Sequence, residues 1–377
     1  MPRHCTTCLD RFPDDIGLCP ADQTPLIDVA TYSRPVVGAF RLGERIGGGG
    51  RTDVYQGHDL SGCFPPAAVK VLREPTQEAR ARLKTEVEVG RRLRSPRVPR
   101  FLAGRADGED EACFVATELR PGVSARALFE AEGALPPDQL VILAAHIAEA
   151  LQAAEAAGIC HRAVRPEHIL VSGSGEAFTA SLFDFGAARI EGFAPAAGAL
   201  TAAAPEYMAP EALRGRAVFA SDRYALGVVL YELGTGRNPF QDETIQGTCW
   251  RHENFEPAAP RPESGTLPWP AGLVRLILSL LSKEPGDRPR PAEIIETCRD
   301  LTDELIAMER ARSGRIEGRF PQRVLAGLER NTDLPPVASF APTLGGAAAP
   351  QEPGTSRPPR WVRRGARSST GVTRGAK

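Results

Sequence analysis

Four stretches of this chain carry residue types that do chemistry when they converge. Gly47-Gly48-Gly49-Gly50 is a glycine run. With no side chains in the way, its backbone N–H groups can approach phosphate oxygens. Ala67-Ala68-Val69-Lys70 is an apolar run that ends on lysine, and the whole chain has only four lysines, Lys70, Lys84, Lys283 and Lys377, so one at that place stands out. His161–Val171 reads H-R-A-V-R-P-E-H-I-L-V, and Asp184-Phe185-Gly186 follows 21 positions after Ala163. A separate group lies near the start, where Cys5-x-x-Cys8 and then Cys19-Pro20-Ala21-Asp22 form two short knuckles. Thiolates so spaced can hold a tetrahedral metal ion.

The elements that must position these residues are readable from periodicity. Phe40–Ile46 alternates as a strand and leads into the glycine run, and Ala67–Lys70 is a second strand. Thr76–Arg94 reads as a charged amphipathic helix halted at Pro96, and it carries Glu86 and Glu88. Phe114–Leu119 is a further strand. Pro136–Gly158 is a long helix with Leu140, Leu143, Ala144, Ile147 and Leu151 at helical spacing, and it delivers the chain to His161. Phe178–Phe183 is a strand running into Asp184, and Pro291–Arg312 reads as the last helix.

In this order and at these spacings the stretches resemble the protein kinase family, and the eukaryotic-like serine/threonine kinases of bacteria in particular. The resemblance covers roughly residues 38–309. It implies an α+β fold of two lobes, a small β-rich N-lobe over 38–119 and a large helical C-lobe over 120–309. By the resemblance, Gly47, Gly49 and Val54 belong to the loop over the ATP phosphates, with Thr52 at the third glycine position. Lys70 pairs with the α- and β-phosphates beside Ala68, and Glu86 is its partner on the helix. Thr117 is the gatekeeper, Glu118 and Leu119 are the hinge backbone that meets adenine, and Leu170 lines the floor of the nucleotide site. Asp184 holds Mg²⁺. Ala209-Pro210-Glu211 matches the family's A-P-E, Asp222 the residue that braces the catalytic loop, and Arg288 the partner of Glu211.

The departures concentrate in the transfer machinery. Where the family loop runs H-R-D-L-x-x-x-N, the catalytic Asp position is Ala163 and the metal-holding Asn position is His168. Arg165 replaces a lysine, and Ala204 stands where a threonine would brace the loop. Ala163 can neither orient a hydroxyl nor accept its proton, and His168 offers a nitrogen where a hard ion wants oxygen. The reading is a pseudokinase: an ATP- and Mg²⁺-binding signalling scaffold or regulator with no intact catalytic set. The alternatives are a divergent active kinase using His168 or Glu167, and a docking module that binds no nucleotide. Gly90, four residues after Glu86, sits where the family places a bulky residue, which predicts a loosely held helix.

Residues 1–28 resemble a zinc ribbon, with Cys5, Cys8, Cys19 and Asp22 as ligands; the other reading is a metal-free ribbon or an unstructured leader. Residues 29–37 read as a linker. Residues 310–377 are rich in Pro, Gly, Ala, Ser and Arg and read as a mostly disordered basic tail. Between Ala194 and Pro205 the hydroxyl side chain is Thr201. The net charge of −1 over 377 residues argues against a general nucleic-acid partner. Lacking a long apolar run, a signal-peptide pattern and a disulfide framework, the chain is expected in the cytoplasm. The expected partners are ATP and signalling proteins that the sequence does not name.

Overall fold

The structure is a computed structural model. It describes residues 3–5, 11–13, 15–21, 23–28, 36–49, 51–74, 76–107, 112–193, 204–262 and 269–313. Near the start, strands β1 (Arg3–His4), β2 (Arg11–Phe12) and β3 (Ile27–Asp28) pair antiparallel in the order β2-β1-β3. Cys5 and Cys19 are buried there beside Leu26. Cys8 and Asp22, the other expected zinc ligands, lie outside the described residues.

The small lobe is one antiparallel sheet. Its strands are β4 (Val36–Val37), β5 (Phe40–Gly49), β6 (Thr52–Asp59), β7 (Ala67–Leu72), β8 (Phe101–Arg105) and β9 (Phe114–Glu118), in the order β4-β5-β6-β7-β9-β8. The expected linker 29–37 is corrected at its end. Val36 and Val37 pair with Arg41 and Phe40 across a tight turn, where Gly38 takes φ 56°, a left-handed conformation that glycine adopts without penalty. The alternation of β7 sorts its residues cleanly. Ala67, Val69 and Val71 face the core with Phe40, Leu42, Phe114 and Ala116. Ala68 and Lys70 therefore point to the opposite face.

One helix closes this sheet, α1 (Gln77–Arg92), capped by the Thr76 hydroxyl, which accepts from the Ala79 N–H. Its buried stripe Ala79, Leu83 and Val87 recurs at i, i+4 and i+8 and meets Leu72 and Val115 of the sheet. Gly90 extends that stripe. Phe101 fills the space where its side chain would be: a Cβ built there would lie 2.6 Å from Phe101 Cγ. The expectation of a loosely held helix is corrected, because the missing bulk comes from the facing strand.

The large lobe follows. It contains β10 (Val123–Ser124), α2 (Ala125–Glu132), α3 (Pro137–Ala156), β11 (Ile159–Cys160), β12 (Ile169–Ser172), β13 (Thr179–Leu182) and β14 (Arg189–Ile190). After these come α4 (Pro210–Leu213), α5 (Phe219–Thr235), α6 (Ile245–Asn254), α7 (Ala271–Leu280) and α8 (Pro291–Ser313). Helix α5 is buried from Ala220 to Gly234, with Ser221, Asp222, Arg223 and Glu232 buried among its apolar residues. Helices α3, α5, α7 and α8 share one core. On that core ride two small sheets, β10-β12-β13 and β11-β14, whose connecting loops carry His161–His168 and Asp184. The two-lobed α+β architecture is as expected. Residues 310–313 of the expected tail continue α8. The rest of the tail, and Thr201, lie outside the described residues. No helix among the described residues is long and apolar enough to cross a membrane.

Candidate active site

Strand register brings the first group together. Gly47 lies opposite Val54, and Val54 opposite Lys70, so the three sit side by side across β5, β6 and β7. Ala68 of β7 lies opposite Thr117 of β9. The glycine run is not a loose loop. Strand β5 continues through it to Gly49, and Gly48 pairs with Asp53. Gly48 is also the glycine the geometry demands: at φ 146° a Cβ would stand 2.7 Å from the Thr52 carbonyl oxygen. Gly49, singled out by the family pattern, has open space around it. A run of four glycines hides which one is needed, so sequence alone had no signal for Gly48.

Lys70, Glu86 and Asp184 meet although up to 114 residues separate them. Lys70 Nζ donates to Glu86 Oε1 at 2.6 Å and to Asp184 Oδ1 at 3.0 Å. Burial opposes the ammonium charge, but the Asp184 and Glu86 carboxylates outweigh it and raise the Lys70 pKa. For Asp184, burial would raise the pKa, yet the neighbouring ammonium holds it well below the usual carboxylate range. Glu86, sharing that one ammonium, is pushed up to about 7 by burial and by the charge of Asp184. The arrangement fixes the Lys70 ammonium between two carboxylates, with the ionised Asp184 facing the loop.

The loop from His161 is held from behind by Asp222 of α5. Asp222 accepts the backbone N–H of His161 and of Arg162, both at 2.7 Å, and so fixes Arg162 in a left-handed conformation at φ 66°. Burial pushes the Asp222 pKa up to about 6 against these two bonds. His161 is fully buried. Its Nε2–H donates to the Phe183 carbonyl at 3.1 Å, and its Nδ1 accepts the Ala163 N–H at 3.2 Å. The ring meets Phe185 edge-on, with centroids 4.4 Å apart. His161 thus ties the loop to Asp184-Phe185-Gly186, and burial lowers its pKa to about 3, which keeps it neutral.

The departures fall where the loop faces Asp184. Ala163 presents a methyl group and uses its backbone carbonyl to accept His168 Nδ1–H at 2.8 Å. His168 Nε2 then faces Asp184 Oδ2 at 3.6 Å. Arg165 turns to Glu167, Nε to Oε2 at 2.7 Å. Glu167 also accepts from Arg126 at 3.1 Å. Burial would raise the Glu167 pKa, but these guanidinium bonds hold it at about 2, so it is a weak proton acceptor. Arg126 continues to the Tyr207 hydroxyl at 2.6 Å and to Glu232 at 3.0 Å. Neither Arg126 nor Tyr207 was foreseen; Arg126 stands on α2 and Tyr207 is buried at the edge of the large-lobe core.

At the hinge, the expected adenine-facing backbone is partly occupied. The Glu118 N–H donates to the Arg100 carbonyl at 2.7 Å and the Leu119 N–H to the Pro66 carbonyl at 2.9 Å. A nucleotide there has only carbonyls of these two residues to meet. Leu170 lies between the buried Ile169 and Val171 of β12, on the opposite face of the strand. Farther off, Arg288 pairs with both oxygens of Glu211 at 2.7 and 2.9 Å.

Comparison with known proteins decides the family: the protein kinase domain matches residues 40–298, most of the chain. This chain belongs to the protein kinase family. Serine/threonine-protein kinase pkn3 of Myxococcus xanthus is 35% identical over 268 residues, which is 67% of this chain and 48% of that protein. Serine/threonine-protein kinase PknE of Mycobacterium tuberculosis is 33% identical over 276 residues, 70% of this chain and 45% of its own length. A probable serine/threonine-protein kinase of Corynebacterium efficiens is 31% identical over 357 residues, 88% of this chain and 52% of that one. The chain therefore spans about half the length of the curated relatives it matches.

Membership in the kinase family implies ATP and Mg²⁺ as ligands. The phosphate side fits: a strand-borne ammonium, and a glycine hairpin with a backbone that only glycine takes. Mg²⁺ takes oxygen ligands in a near-octahedral shell. Asp184 supplies such an oxygen, whereas the nitrogen of His168 does not fit that ion. Among the described residues no group of three His, Cys, Asp or Glu side chains is arranged to hold a metal, at the ribbon or here.

Proposed function

We propose that this kinase domain binds ATP but transfers its γ-phosphate extremely slowly or not at all, and acts as a signalling pseudokinase. The observation that carries this reading is the split between holding and transfer. The Lys70–Glu86–Asp184 centre is assembled at bonding distance, while Ala163 puts a methyl group at the family's catalytic carboxylate position. Loss of a general base is worth ~10²–10⁴-fold in rate. Phosphoryl transfer relies on positioning as well, and Arg165 is drawn off to Glu167. A family rate of roughly 1–100 s⁻¹ would fall to roughly 10⁻⁴–1 s⁻¹ from the lost base alone, and lower with the positioning group drawn away. On this reading the protein acts in the cytoplasm through protein partners, its nucleotide site serving as a conformational input. The N-terminal cysteines form a zinc ribbon, and 314–377 a basic tail.

A second reading, an active divergent serine/threonine kinase, is favoured by the names of the relatives. Against it stands the chemistry of its two candidate bases. Glu167 is too weak an acid–base group at a pKa of about 2, and the basic nitrogen of His168, Nε2, faces the Asp184 carboxylate at 3.6 Å while its Nδ1–H donates to Ala163.

The test is a thermal-shift titration of the full chain with ATP, alongside Lys70→Ala, followed by transfer from γ-labelled ATP. Saturable stabilisation lost in Lys70→Ala, with no labelled product, is the expected result. Transfer at family rates would overturn the proposal, and no stabilisation at millimolar ATP would leave the fold as a docking module.

A further inference from the structure

A run of four glycines should be the least ordered stretch of the small lobe. Glycine loses more conformational freedom on folding than any other residue, and Gly47-Gly48-Gly49-Gly50 offers no side chain to pack. Yet β5 keeps its pairing with β6 through Gly47, Gly48 and Gly49. The ladder is not even regular there. Its register shifts between Leu42 and Arg45 and again between Arg45 and Gly47. The hold on this hairpin must come from side chains outside the glycines.

Asp53 of β6 supplies it. It lies opposite Gly48 on one side and opposite Val71 of β7 on the other, and it is 5% exposed. Its Oδ1 accepts Arg45 Nε–H at 2.7 Å, and its Oδ2 stands 3.4 Å from Arg73 Nε. Arg45 comes from β5 and Arg73 follows β7, so one carboxylate ties together the strands on either side of β6. Both guanidinium groups remain about half exposed, so only the carboxylate has left water. Arg73 fastens the hairpin a second time, its backbone N–H donating to the Arg51 carbonyl at 3.0 Å. Arg45 reaches Asp53 by passing over Gly48: a Cβ built on Gly48 would lie 2.8 Å from Arg45 Nη2. Gly48 is thus needed twice, for its backbone angle and for the passage of the guanidinium.

Alternation sets Asp53 apart from the nucleotide side. Its neighbour Val54 lies opposite Lys70, whereas Asp53 lies opposite Val71, a core residue, so the two side chains leave the sheet on opposite faces. Asp53 therefore acts on a nucleotide only through the hairpin. We propose that Asp53, held by Arg45 and Arg73, is the positioning residue of the phosphate loop. It fixes the glycine hairpin in strand form before a nucleotide arrives, so that little ordering of the backbone N–H groups opposes binding. The inference rests on the nucleotide-binding reading above and deepens it.

The test uses the full chain as wild type, Asp53→Ala and Arg45→Ala. Each is titrated with ATP and, separately, with adenosine at fixed MgCl₂, thermal stabilisation being the readout. The half-saturating concentration of ATP should rise about tenfold in Asp53→Ala, the scale of one charge-assisted hydrogen bond. That of adenosine, which has no phosphate, should stay unchanged. Arg45→Ala removes a half-exposed side chain and leaves Asp53 its Arg73 partner, so it reads the same bridge even where Asp53→Ala fails to fold. Its effect should have the same sign and a smaller size, and Arg45→Lys should recover part of it. Hydrogen exchange gives a readout without nucleotide: the amides of β5 and β6 at the hairpin should exchange faster in the variants, while those of β7 and β9 do not. Equal weakening for ATP and adenosine, or unchanged ATP binding in folded variants, would overturn the role of Asp53 and leave the nucleotide reading standing. Absence of any stabilisation of the wild type by ATP would overturn the nucleotide reading and the role of Asp53 together.

Discussion

Gly90→Ala tests whether Phe101 holds α1 against the sheet. Two effects compete. In a helix interior alanine is favoured over glycine by roughly 0.8–1.0 kcal/mol. Against this, the new Cβ would lie 2.6 Å from Phe101 Cγ and 2.8 Å from Phe101 Cβ, separations that real side chains do not tolerate. The second atom matters most. Phe101 Cβ is not the far end of a flexible chain, so relief requires β8 to shift as well as the ring to turn. Overpacking of this kind costs typically 1–3 kcal/mol. Taking the upper part of that range, overpacking wins and the net effect is about 1–2 kcal/mol of destabilisation. Denaturant unfolding of the full chain reads it directly. In a Phe101→Ala background two of the three nearest atoms are gone, so the same substitution should cost at least ~1 kcal/mol less. Because α1 carries Glu86, the single variant should also weaken ATP-induced stabilisation. A Gly90→Ala protein more stable than wild type by about the propensity gain would refute this, and would mean the helix is loosely packed after all.

Other outcomes follow from the same geometry. Arg288→Ala removes a bidentate pair to Glu211 and donors to the carbonyls of Ser282, Lys283 and Ala220. It strands a largely buried carboxylate, so a loss of ~3–5 kcal/mol in denaturant unfolding is expected, and a loss under ~1 kcal/mol would contradict the packing described. Stability should fall as pH drops below about 6.5. His146, His161 and His252 are each held by burial at about 3 when folded, so they take up protons only on unfolding, and the unfolded state gains as pH falls. Glu86, at about 7, and Asp222, at about 6, oppose this over their own windows, since their folded forms bind the proton first. Three histidines against those two acids leave acid destabilisation as the net sign, and a melting temperature that rises from pH 7 to pH 5 would contradict it. Ala163→Asp should raise phosphate transfer from labelled ATP by ~10²–10⁴-fold over wild type, with Lys70→Ala abolishing the gain. An unchanged rate in a folded Ala163→Asp protein would mean that Arg165 and His168 limit transfer.

What could be read in the sequence depended on the kind of signal each residue carries. The lobes were legible because β7 alternates and α3 repeats at helical spacing, and both patterns report burial. The kinase resemblance pointed Lys70, Glu86 and Asp184 to one centre, and the register of β5, β6, β7 and β9 is the physical means by which Gly47, Val54 and Lys70, and Ala68 and Thr117, become neighbours. Linker residues Val36 and Val37 were missed because a two-residue strand is too short to show a period. Gly90 was misread because a small residue in a helix says nothing about its opposite number; the bulk had moved to Phe101, eleven positions on and in another element. The bridge of Arg126 to Glu167, Tyr207 and Glu232 had no periodic signal, since it joins single polar side chains from four separate segments.

The cluster of departures makes physical sense as one change rather than several. Once position 163 lacks a carboxylate, its backbone carbonyl is the remaining acceptor at that point of the loop, and His168 donates to it. That bond turns Nε2 toward Asp184. Arg165, without a carboxylate at 163 to oppose it, pairs with Glu167, which Arg126 already holds. The Ala163 carbonyl, Arg165 and Glu167 are thus each hydrogen-bonded in or behind the loop. The supports behind it are His161 on Phe183 and Asp222 on the His161–Arg162 backbone. On the pseudokinase proposal, this bonding matters because Glu167 is held by two guanidinium groups and position 163 has no side-chain group to take a hydroxyl proton.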